Sequence, residues 1–319
     1  MVACKLCSVL DRFRTSGAGC HWYGEVMSRF GSVITAMITP FTSTGELDHE
    51  GAAALARWLV EQGNDALVLS GTTGEAACLT DEEQVTLWRT VRAAVDVPLI
   101  AGSGTNDTRH AGELTAQAAD AGMDAVLIVT PYYNRPSQAG IEAHFRHVAG
   151  CTDLPVIVYD IPVRTGRKIS SELIGRFARE IPNVVGLKDA AGDPGATAEV
   201  IAAAPAGFEV FSGDDSLTLP LLAVGAVGVI GVATHWAAPI MRDMIAAFQS
   251  GDIATARTLN ARMLESYSFE TGDLNPNPVP TKAMLRALGQ PAGPCRPPMG
   301  FGPDDLEARA LAVHERLYA

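Results

Sequence analysis

The sequence predicts an α/β protein, a (β/α)₈ TIM barrel with a C-terminal helical extension. From Val33 onward, short apolar runs alternate with longer segments that have a helical period. The apolar runs are mostly continuous, as in strands that are buried on both faces of a parallel sheet. Eight such strand and helix repeats occupy roughly 220 residues, which matches the size of one (β/α)₈ barrel.

The eight predicted strands are separated by turn-forming and helical segments. In chain order they are VITAMIT (33–39), ALVLS (66–70), PLIAG (98–102), AVLIVT (125–130), VIVYD (156–160), VVGLKD (184–189), FEVFSG (208–213) and GVIGV (228–232). The alternative is a doubly wound open sheet, which usually has a G-x-G-x-x-G fingerprint after an early strand. GTTGE and GSGTN follow strands here, but neither matches that fingerprint. The barrel is therefore favoured.

The helical segments between the strands begin at recognisable caps. Thr80 precedes DEEQVTLWRTVRAAV, and Ser170 or Ser171 can cap SSELIGRFARE. After about Gly251 the apolar runs stop. Three helical segments follow, with the proline-rich NPNPVP between the first two: DIATARTLNARMLESYSFE, TKAMLRALG and DDLEARALAVHERLYA. We predict a catalytic barrel domain over 28–250 and a helical extension over 251–319 that packs on it.

Residues 1–27 differ from the rest of the chain. They hold three of the six cysteines and have no clear period. We expect a disordered leader or a start codon assigned too far upstream, because Met27 could itself begin the protein. The alternative is a zinc site formed by Cys4, Cys7, Cys20 and His21. One short CKLC pair is a weak metal signal, so the leader is preferred.

Composition limits the partners and the compartment. The formal net charge of −12 argues against binding to nucleic-acid backbones or anionic membranes. No apolar run approaches the roughly 20 residues of a membrane helix, and we expect no signal peptide. Six cysteines scattered through a chain of 319 residues predict free thiols in the cytoplasm.

Polar, glycine-rich segments follow the predicted strands. In a (β/α)₈ barrel, reactive groups gather at the carboxyl ends of the strands. The ends of strands two to seven are, in order, SGTTGE, AGSGTN, TPYYNRP, YDIPVRTG, LKDAAGD and SGDDS. The turns before the strands, such as DVP and TDLP, are plainer. This contrast predicts an enzyme with its site at one rim.

Lys188 is the one lysine among four that lies on a predicted strand. Burial lowers the pKa of an amine and frees it as a nucleophile toward a carbonyl group. The alternative is an ion pair with an acid such as Asp189 or Asp214. Position alone supports both interpretations equally.

Three hydroxyl side chains at neighbouring strand ends are further candidates. Tyr159 ends the strand beside Lys188, where a phenol can relay protons, although a core tyrosine is commoner at such a position. Thr72 and Thr73 lie between two glycines. Their backbone N–H groups can face a small carboxylate while a hydroxyl joins a proton relay, or they can simply cap a tight turn.

Two other chemistries fit less well. The sequence contains no H-E-x-x-H motif for a zinc enzyme. A phosphorylated substrate favours a basic cradle after the seventh and eighth strands, but SGDDSL is acidic. A small unphosphorylated oxo acid is the predicted substrate, and no metal or cofactor is expected.

From about Arg29 to the C-terminus, the chain resembles the dihydrodipicolinate synthase family. The segments that carry the resemblance are GTTGE, TPYYNRP, YDIPVRTG, GLKDAAGD, SGDDSLTLPLLAVGAVGVIGV and NPNPVPTKAMLRALG. The wider N-acetylneuraminate lyase superfamily of class I pyruvate aldolases shares the barrel, the lysine and the tyrosine. The paired threonines and the arginine of YDIPVRTG are more specific to the synthases.

The resemblance implies a reaction and an assembly. Pyruvate would form a Schiff base on Lys188, and the derived enamine would attack the aldehyde of aspartate semialdehyde. Cyclisation would release the first committed intermediate on the route to diaminopimelate and lysine. The covalent lysine adduct takes the place of a cofactor. The family implies a homo-oligomer, a tetramer built from two tight dimers.

The resemblance also implies a role for each matching residue. Tyr159, Thr72 and Tyr133 match a proton-relay triad, in which the tyrosine matching Tyr133 reaches across the tight dimer. Thr73 and the Thr72 backbone match the positions that hold the pyruvate carboxylate. Arg164 matches the arginine that meets the semialdehyde carboxylate. Gly213 and Ile230 match positions that line the pocket.

Some positions depart from the family pattern. Ala76 replaces a frequent serine after GTTGE. Many members bind lysine as an inhibitor through histidines and a glutamate, but the matching positions here are Asp81, Gln84 and His110, while Asn106 and Tyr132 fit. We therefore expect lysine to inhibit weakly or not at all.

Two other functions remain open at this level. A related aldolase or lyase could act on a sugar acid such as N-acetylneuraminate or a 2-keto-3-deoxy acid, although Arg164 and the paired threonines argue against it. A barrel retained only for ligand binding or regulation would not need Lys188, Tyr159, Thr72 and Tyr133 together.

Overall fold

Eight parallel strands close into a barrel in the computed structural model, which describes residues 28–272 and 274–319. Each strand pairs with the next, and β8 pairs with β1 to complete the ring. The strands are β1 (Val33–Ala36), β2 (Ala66–Leu69), β3 (Leu99–Gly102), β4 (Ala125–Val129), β5 (Val156–Asp160), β6 (Val184–Asp189), β7 (Glu209–Ser212) and β8 (Gly228–Gly231). The predicted barrel is confirmed, and the open sheet is excluded.

Helices surround the barrel and continue beyond it. They are α1 (His49–Glu61), α2 (Asp81–Arg92), α3 (Thr108–Asp120), α4 (Gln138–Ala149), α5 (Pro162–Thr165), α6 (Ser171–Glu180), α7 (Pro194–Ala203), α8 (Thr218–Ala223), α9 (Thr234–Gln249), α10 (Ile253–Glu270), α11 (Val279–Ala287) and α12 (Leu306–Tyr318). Short 3₁₀ turns at Ala76–Cys78 and Asp215–Leu217 follow β2 and β7. The C-terminal helices predicted from the sequence are therefore present.

The predicted N-caps hold their helices by side-chain hydrogen bonds. The Thr80 hydroxyl accepts from the Glu83 N–H at 3.2 Å, and the Glu83 carboxylate accepts from the Thr80 N–H at 2.9 Å. This reciprocal capping box satisfies two N–H groups at the start of α2. Of the two serines before α6, Ser170 is the cap, because its hydroxyl accepts from the Leu173 N–H.

The first strand is shorter than its apolar run predicts. Met37, Ile38 and Thr39 are buried, but they lie beyond the end of β1 at Ala36. The Ile38 N–H donates to the His235 ring at 3.1 Å instead of to a neighbouring strand. The Met37 N–H still donates to the Val68 oxygen on β2, so the pairing with β2 stops within two residues of Ala36. The apolar run therefore indicates burial correctly but extends past the strand.

Alternating side chains divide the buried residues into two layers. Ile34, Val68, Tyr159 and Ile230 belong to the cluster inside the barrel. Leu187 belongs to the outer layer between strands and helices. Because successive strand residues point to opposite faces, its neighbour Lys188 points into the barrel.

The C-terminal helices cover the side of the barrel where it closes. Their apolar faces form one cluster with α9 and with outward residues of β1 and β8, namely Val33 and Val229. The segment before α11 then reaches the carboxyl rim, where the side chain of Asn277 contacts Thr73. The extension thus contributes to the rim as well as to the outer layer.

Within residues 28–272 and 274–319, no helix is long and apolar enough to cross a membrane. The leader over 1–27 lies outside the described residues. The same is true of the alternative zinc site at Cys4, Cys7, Cys20 and His21.

Candidate active site

Lys188 lies near the carboxyl end of β6 and is 5% exposed. It is in register with Tyr159 on β5, and its Nζ lies 4.3 Å from the centroid of the Tyr159 ring. Burial lowers the pKa of Lys188 to about 8, while the negative charge of Asp215 acts in the opposite direction. The positive charge of Arg164 lowers that pKa further. The amine is therefore a usable nucleophile near neutral pH.

The two acids proposed from the sequence as ion-pair partners are engaged elsewhere. Asp189 accepts from the Thr197 hydroxyl at 2.7 Å and from the Ala191 N–H at 2.9 Å. Asp214 accepts from the N–H and hydroxyl of Ser216. Among the described residues, Lys188 has no carboxylate within 4.0 Å. A salt bridge therefore does not account for its burial.

Gly213 leaves the space that the Lys188 side chain occupies. A Cβ at Gly213 would lie 3.0 Å from Cγ and 3.1 Å from Cε of Lys188, and 3.0 Å from Cβ of Ala190. Ile230, on β8, is fully buried inside the barrel. Both positions belong to the packed interior rather than to the open part of the site.

Tyr159 is a buried phenol that holds its proton at neutral pH. Burial raises the pKa of Tyr159 to about 12, and the neighbouring Thr72 side chain partly offsets this rise. Thr72 therefore lies near the phenol, as a proton relay requires.

The loop that carries Thr72 and Thr73 has a constrained backbone. Ser70 and Glu75 flank it with φ angles of 47° and 56°, in the left-handed region that most residues avoid. Within the described part of the chain, the N–H groups of Thr72 and Thr73 have no acceptor. They are therefore available to a ligand carboxylate.

Arg164 lies at the rim on α5, with its guanidinium beside the other groups of the site. Its Nη2 donates to the backbone oxygen of Asn277 at 3.4 Å. Its charge lowers the pKa of both Lys188 and Tyr159. The geometry suits two-pronged binding of a carboxylate that enters from solvent.

Tyr133 is the candidate catalytic residue whose side chain the rest of this chain leaves in solvent. Its side chain is 91% exposed, and its backbone φ is 69°. A large aromatic ring in solvent at a strained position is consistent with a role toward a second chain.

A cavity of about 610 Å³ opens at this rim. Thr72, Tyr133, Tyr159, Arg164 and Asn277 are among its lining residues. One side of the cavity is formed by Asp81, Gln84, Asn106, His110 and Tyr132. Lys188, Thr73, Gly213 and Ile230 do not line it directly. The volume is in the range of small-molecule sites.

Sequence reasoning missed several buried polar residues that support the site. Asn277 donates from Nδ2 to the Thr73 hydroxyl at 2.8 Å. Lys282 pairs with Glu75, directly after the threonine loop, at 2.6 Å. Asn277 and Lys282 lie in NPNPVPTKAM, whose pattern predicts only a linker and the start of a helix, so the family resemblance alone could point to them.

A pair of buried carboxyl groups lies behind Lys188. Asp215 accepts from the backbone N–H groups of Val232 and Ala233 at 2.8 and 3.1 Å. Burial raises the pKa of Asp215 to about 6 and that of Glu270 well above its usual range. Burial therefore disfavours the charged form of Glu270, and the negative charge of Asp215 raises the pKa of Glu270 further.

A family model described as the dihydrodipicolinate synthetase family matches residues 29–313. The chain belongs to the dihydrodipicolinate synthetase family. A 4-hydroxy-tetrahydrodipicolinate synthase from Moorella thermoacetica is 45% identical over 290 residues, which cover 90% of this chain and 98% of the relative. The family predicted from the sequence motifs is confirmed.

Solved structures of the family share the fold. A synthase from Cyanidioschyzon merolae with lysine bound has a TM-score of 0.88 and 41% identity, and the match covers 91% of this chain and 98% of that one. A synthase from Acinetobacter baumannii complexed with pyruvate has a TM-score of 0.85 and 34% identity, with coverage of 91% and 99%. Both sequence identities are above the level at which a similarity shows only a shared fold.

Proposed function

We infer that the chain is a 4-hydroxy-tetrahydrodipicolinate synthase, a lyase that condenses pyruvate with L-aspartate 4-semialdehyde. The observation that carries this function is the buried Lys188 amine against the Tyr159 ring at the barrel rim. It occurs in a chain that is 45% identical to a curated synthase over nearly its whole length. A relative complexed with pyruvate supports pyruvate as the first substrate.

Lys188 begins the reaction as the nucleophile. With a pKa of about 8, roughly one Lys188 amine in ten is neutral at pH 7. Its Nζ attacks the keto carbon of pyruvate to give a carbinolamine, which loses water to form an iminium ion. Loss of a methyl proton gives the enamine, which attacks the semialdehyde aldehyde, and cyclisation releases the product. The negative charge of Asp215 favours the cationic iminium.

Tyr159 supplies the proton that the departing water needs. Its phenol is protonated at neutral pH and lies near Thr72, through which a proton can pass. Tyr133 from a second chain would complete this relay toward solvent.

Two groups would hold the carboxylates of the two substrates. The free N–H groups of Thr72 and Thr73, with the Thr73 hydroxyl, suit the pyruvate carboxylate. The Arg164 guanidinium suits the semialdehyde carboxylate, because its fork matches two oxygens. Gly213 and Ile230 shape the space around the keto acid.

We expect Tyr159→Phe to lower kcat by about 10²- to 10⁴-fold, because the variant keeps the ring and loses the transferable proton. Steady-state kinetics with both substrates measures the loss. Tyr318→Phe is a matched control, since it also removes one hydroxyl, which donates to the backbone oxygen of Trp236 in the apolar cluster of the C-terminal helices. Equal losses in the two variants would contradict the relay role.

The proposal includes a homo-oligomer, a tetramer of two tight dimers, in which Tyr133 serves the partner's site. Tyr133→Phe and Lys188→Ala should each be nearly inactive alone. After subunit exchange, an equal mixture should regain about a quarter of the wild-type activity, because half of the dimers are mixed and each mixed dimer has one complete site. No recovery in dimers shown to have exchanged would contradict a shared site.

Lysine is expected to inhibit weakly or not at all. The Asp81 carboxylate accepts from the His110 ring at 2.8 Å, so both groups are already occupied by each other. Gln84, the third departure, is uncharged and buried. Synthase assays across a lysine titration test the prediction, with a lysine-sensitive relative as the positive control. Half-inhibition below about 1 mM would overturn it.

The activity itself is tested by comparing substrates. Purified chain should turn over pyruvate with aspartate semialdehyde, and it should cleave N-acetylneuraminate and 2-keto-3-deoxy acids far more slowly. The reverse preference would favour the sugar-acid aldolase. The product would enter diaminopimelate and lysine synthesis in the cytoplasm, where the free thiols of Cys78, Cys151 and Cys295 are stable.

A further inference from the structure

We propose that the side-chain amide of Asn277 is a positioning group that directs the Thr73 hydroxyl proton toward the carboxylate of the keto acid. This inference rests on the proposed function and extends the site to the C-terminal extension. Asn277 is 6% exposed and lies two residues before α11. None of the roles implied by the sequence motifs includes it.

The hydrogen bond between Asn277 and Thr73 has a definite direction. Nδ2 of Asn277 donates to Oγ1 of Thr73 at 2.8 Å. A hydroxyl oxygen that accepts from an amide still has its own proton to donate. Among the described residues, the Thr73 hydroxyl donates to no protein acceptor, so its proton is free for a ligand oxygen.

A second hydrogen bond fixes the orientation of the Asn277 amide. Oδ1 of Asn277 accepts from the Thr281 hydroxyl at 2.9 Å, one helical turn further along the chain. Both ends of the amide are therefore engaged, and Asn277 holds Thr73 from one side only. Thr281 thus donates a hydrogen bond to Asn277, and Asn277 donates one to Thr73, so the free Thr73 proton lies at the substrate end of this series.

Asn277 lies between the two proposed carboxylate sites. Its backbone oxygen accepts from Nη2 of Arg164 at 3.4 Å, while its side chain reaches Thr73. Five residues later, Lys282 forms a buried ion pair with Glu75, which follows the threonine loop. The extension thus holds this loop at two points, and Asn277 has little freedom to move away.

The test compares Asn277→Asp with wild type by borohydride trapping of the pyruvate adduct. A carboxylate can only accept, so the substitution should turn the Thr73 proton away from the ligand and set a negative charge beside its carboxylate. We expect the half-saturating pyruvate concentration to rise by about tenfold or more. Asn275→Asp makes the same chemical change two positions earlier and should leave this concentration unchanged.

A second probe separates positioning from general damage to the fold. Methyl pyruvate has the same keto group without the negative charge, so its trapping should change much less than that of pyruvate. In a double-mutant cycle with Thr73→Val, the effect of Asn277→Asp should become smaller, because no hydroxyl remains to be oriented and only the effect of the new negative charge is left.

The outcomes distinguish this inference from the proposed function. If wild type traps no pyruvate adduct, the function fails. If wild type traps it and Asn277→Asp shifts half-saturation by less than about twofold, the positioning role is wrong and the function stands. Equal shifts for pyruvate and methyl pyruvate would also overturn the positioning role.

Discussion

Lys188→Ala should abolish the pyruvate adduct that borohydride traps in the wild type and lower kcat/KM by more than about 10⁴-fold. The expected loss exceeds the 10²- to 10⁴-fold of a single proton-transfer group, because the covalent route itself disappears. Intact-mass spectrometry gives the adduct, and peptide mapping gives its position.

The control for this experiment is Lys168→Ala, which removes a half-exposed lysine and should retain the adduct. In the wild type the adduct should form faster as the pH rises through about 8, since the neutral amine is the reactive form and the pKa of Lys188 is lowered to that value. An adduct on Lys168 or Lys282, or none at all, would contradict the assignment.

Lys282→Met should lower the free energy of unfolding by about 3–5 kcal/mol, because it leaves the other partner of a buried ion pair charged and unpaired. Its Nζ lies 2.6 Å from a Glu75 carboxylate oxygen and donates to the Pro294 backbone oxygen at 2.9 Å. The side chains of Lys282 and Glu75 are at most 1% exposed. Denaturant unfolding at a fixed protein concentration measures the change.

Two variants test whether the uncompensated charge is the cause. Adding Glu75→Gln to Lys282→Met should recover much of the stability, because no buried charge then remains. Arg109→Met breaks the exposed pair with Glu113 and should cost less than about 1 kcal/mol. A double variant as unstable as Lys282→Met would mean that packing, not charge, dominates.

The barrel could be predicted because its strands are marked locally. Each is a short continuous apolar run, and burial on both faces of a parallel strand requires such a run. The first run extended past the end of β1, since Ile38 is buried although its N–H bonds the His235 ring. Apolar patterns indicate burial, and only the backbone hydrogen bonds determine where a strand ends.

The site could be predicted only where a strand end identifies its residue. Lys188 and Tyr159 are predicted because each lies near the end of a predicted strand, and the structure places the two residues in register. Asn277 and Lys282 could not be found this way, because their partners lie about 200 residues earlier in the chain. A buried polar contact between such distant segments leaves no periodic signal in either one.

The buried contacts of Asn277 and Lys282 have a consequence for the order in which the enzyme matures. During synthesis, all eight strands and Lys188 are present once residue 231 has emerged. Thr73 contacts Asn277 across 204 positions of sequence, so the threonine loop acquires this support only later. A ribosome-bound chain can therefore hold every strand of the barrel before it holds the residues that support the threonine loop.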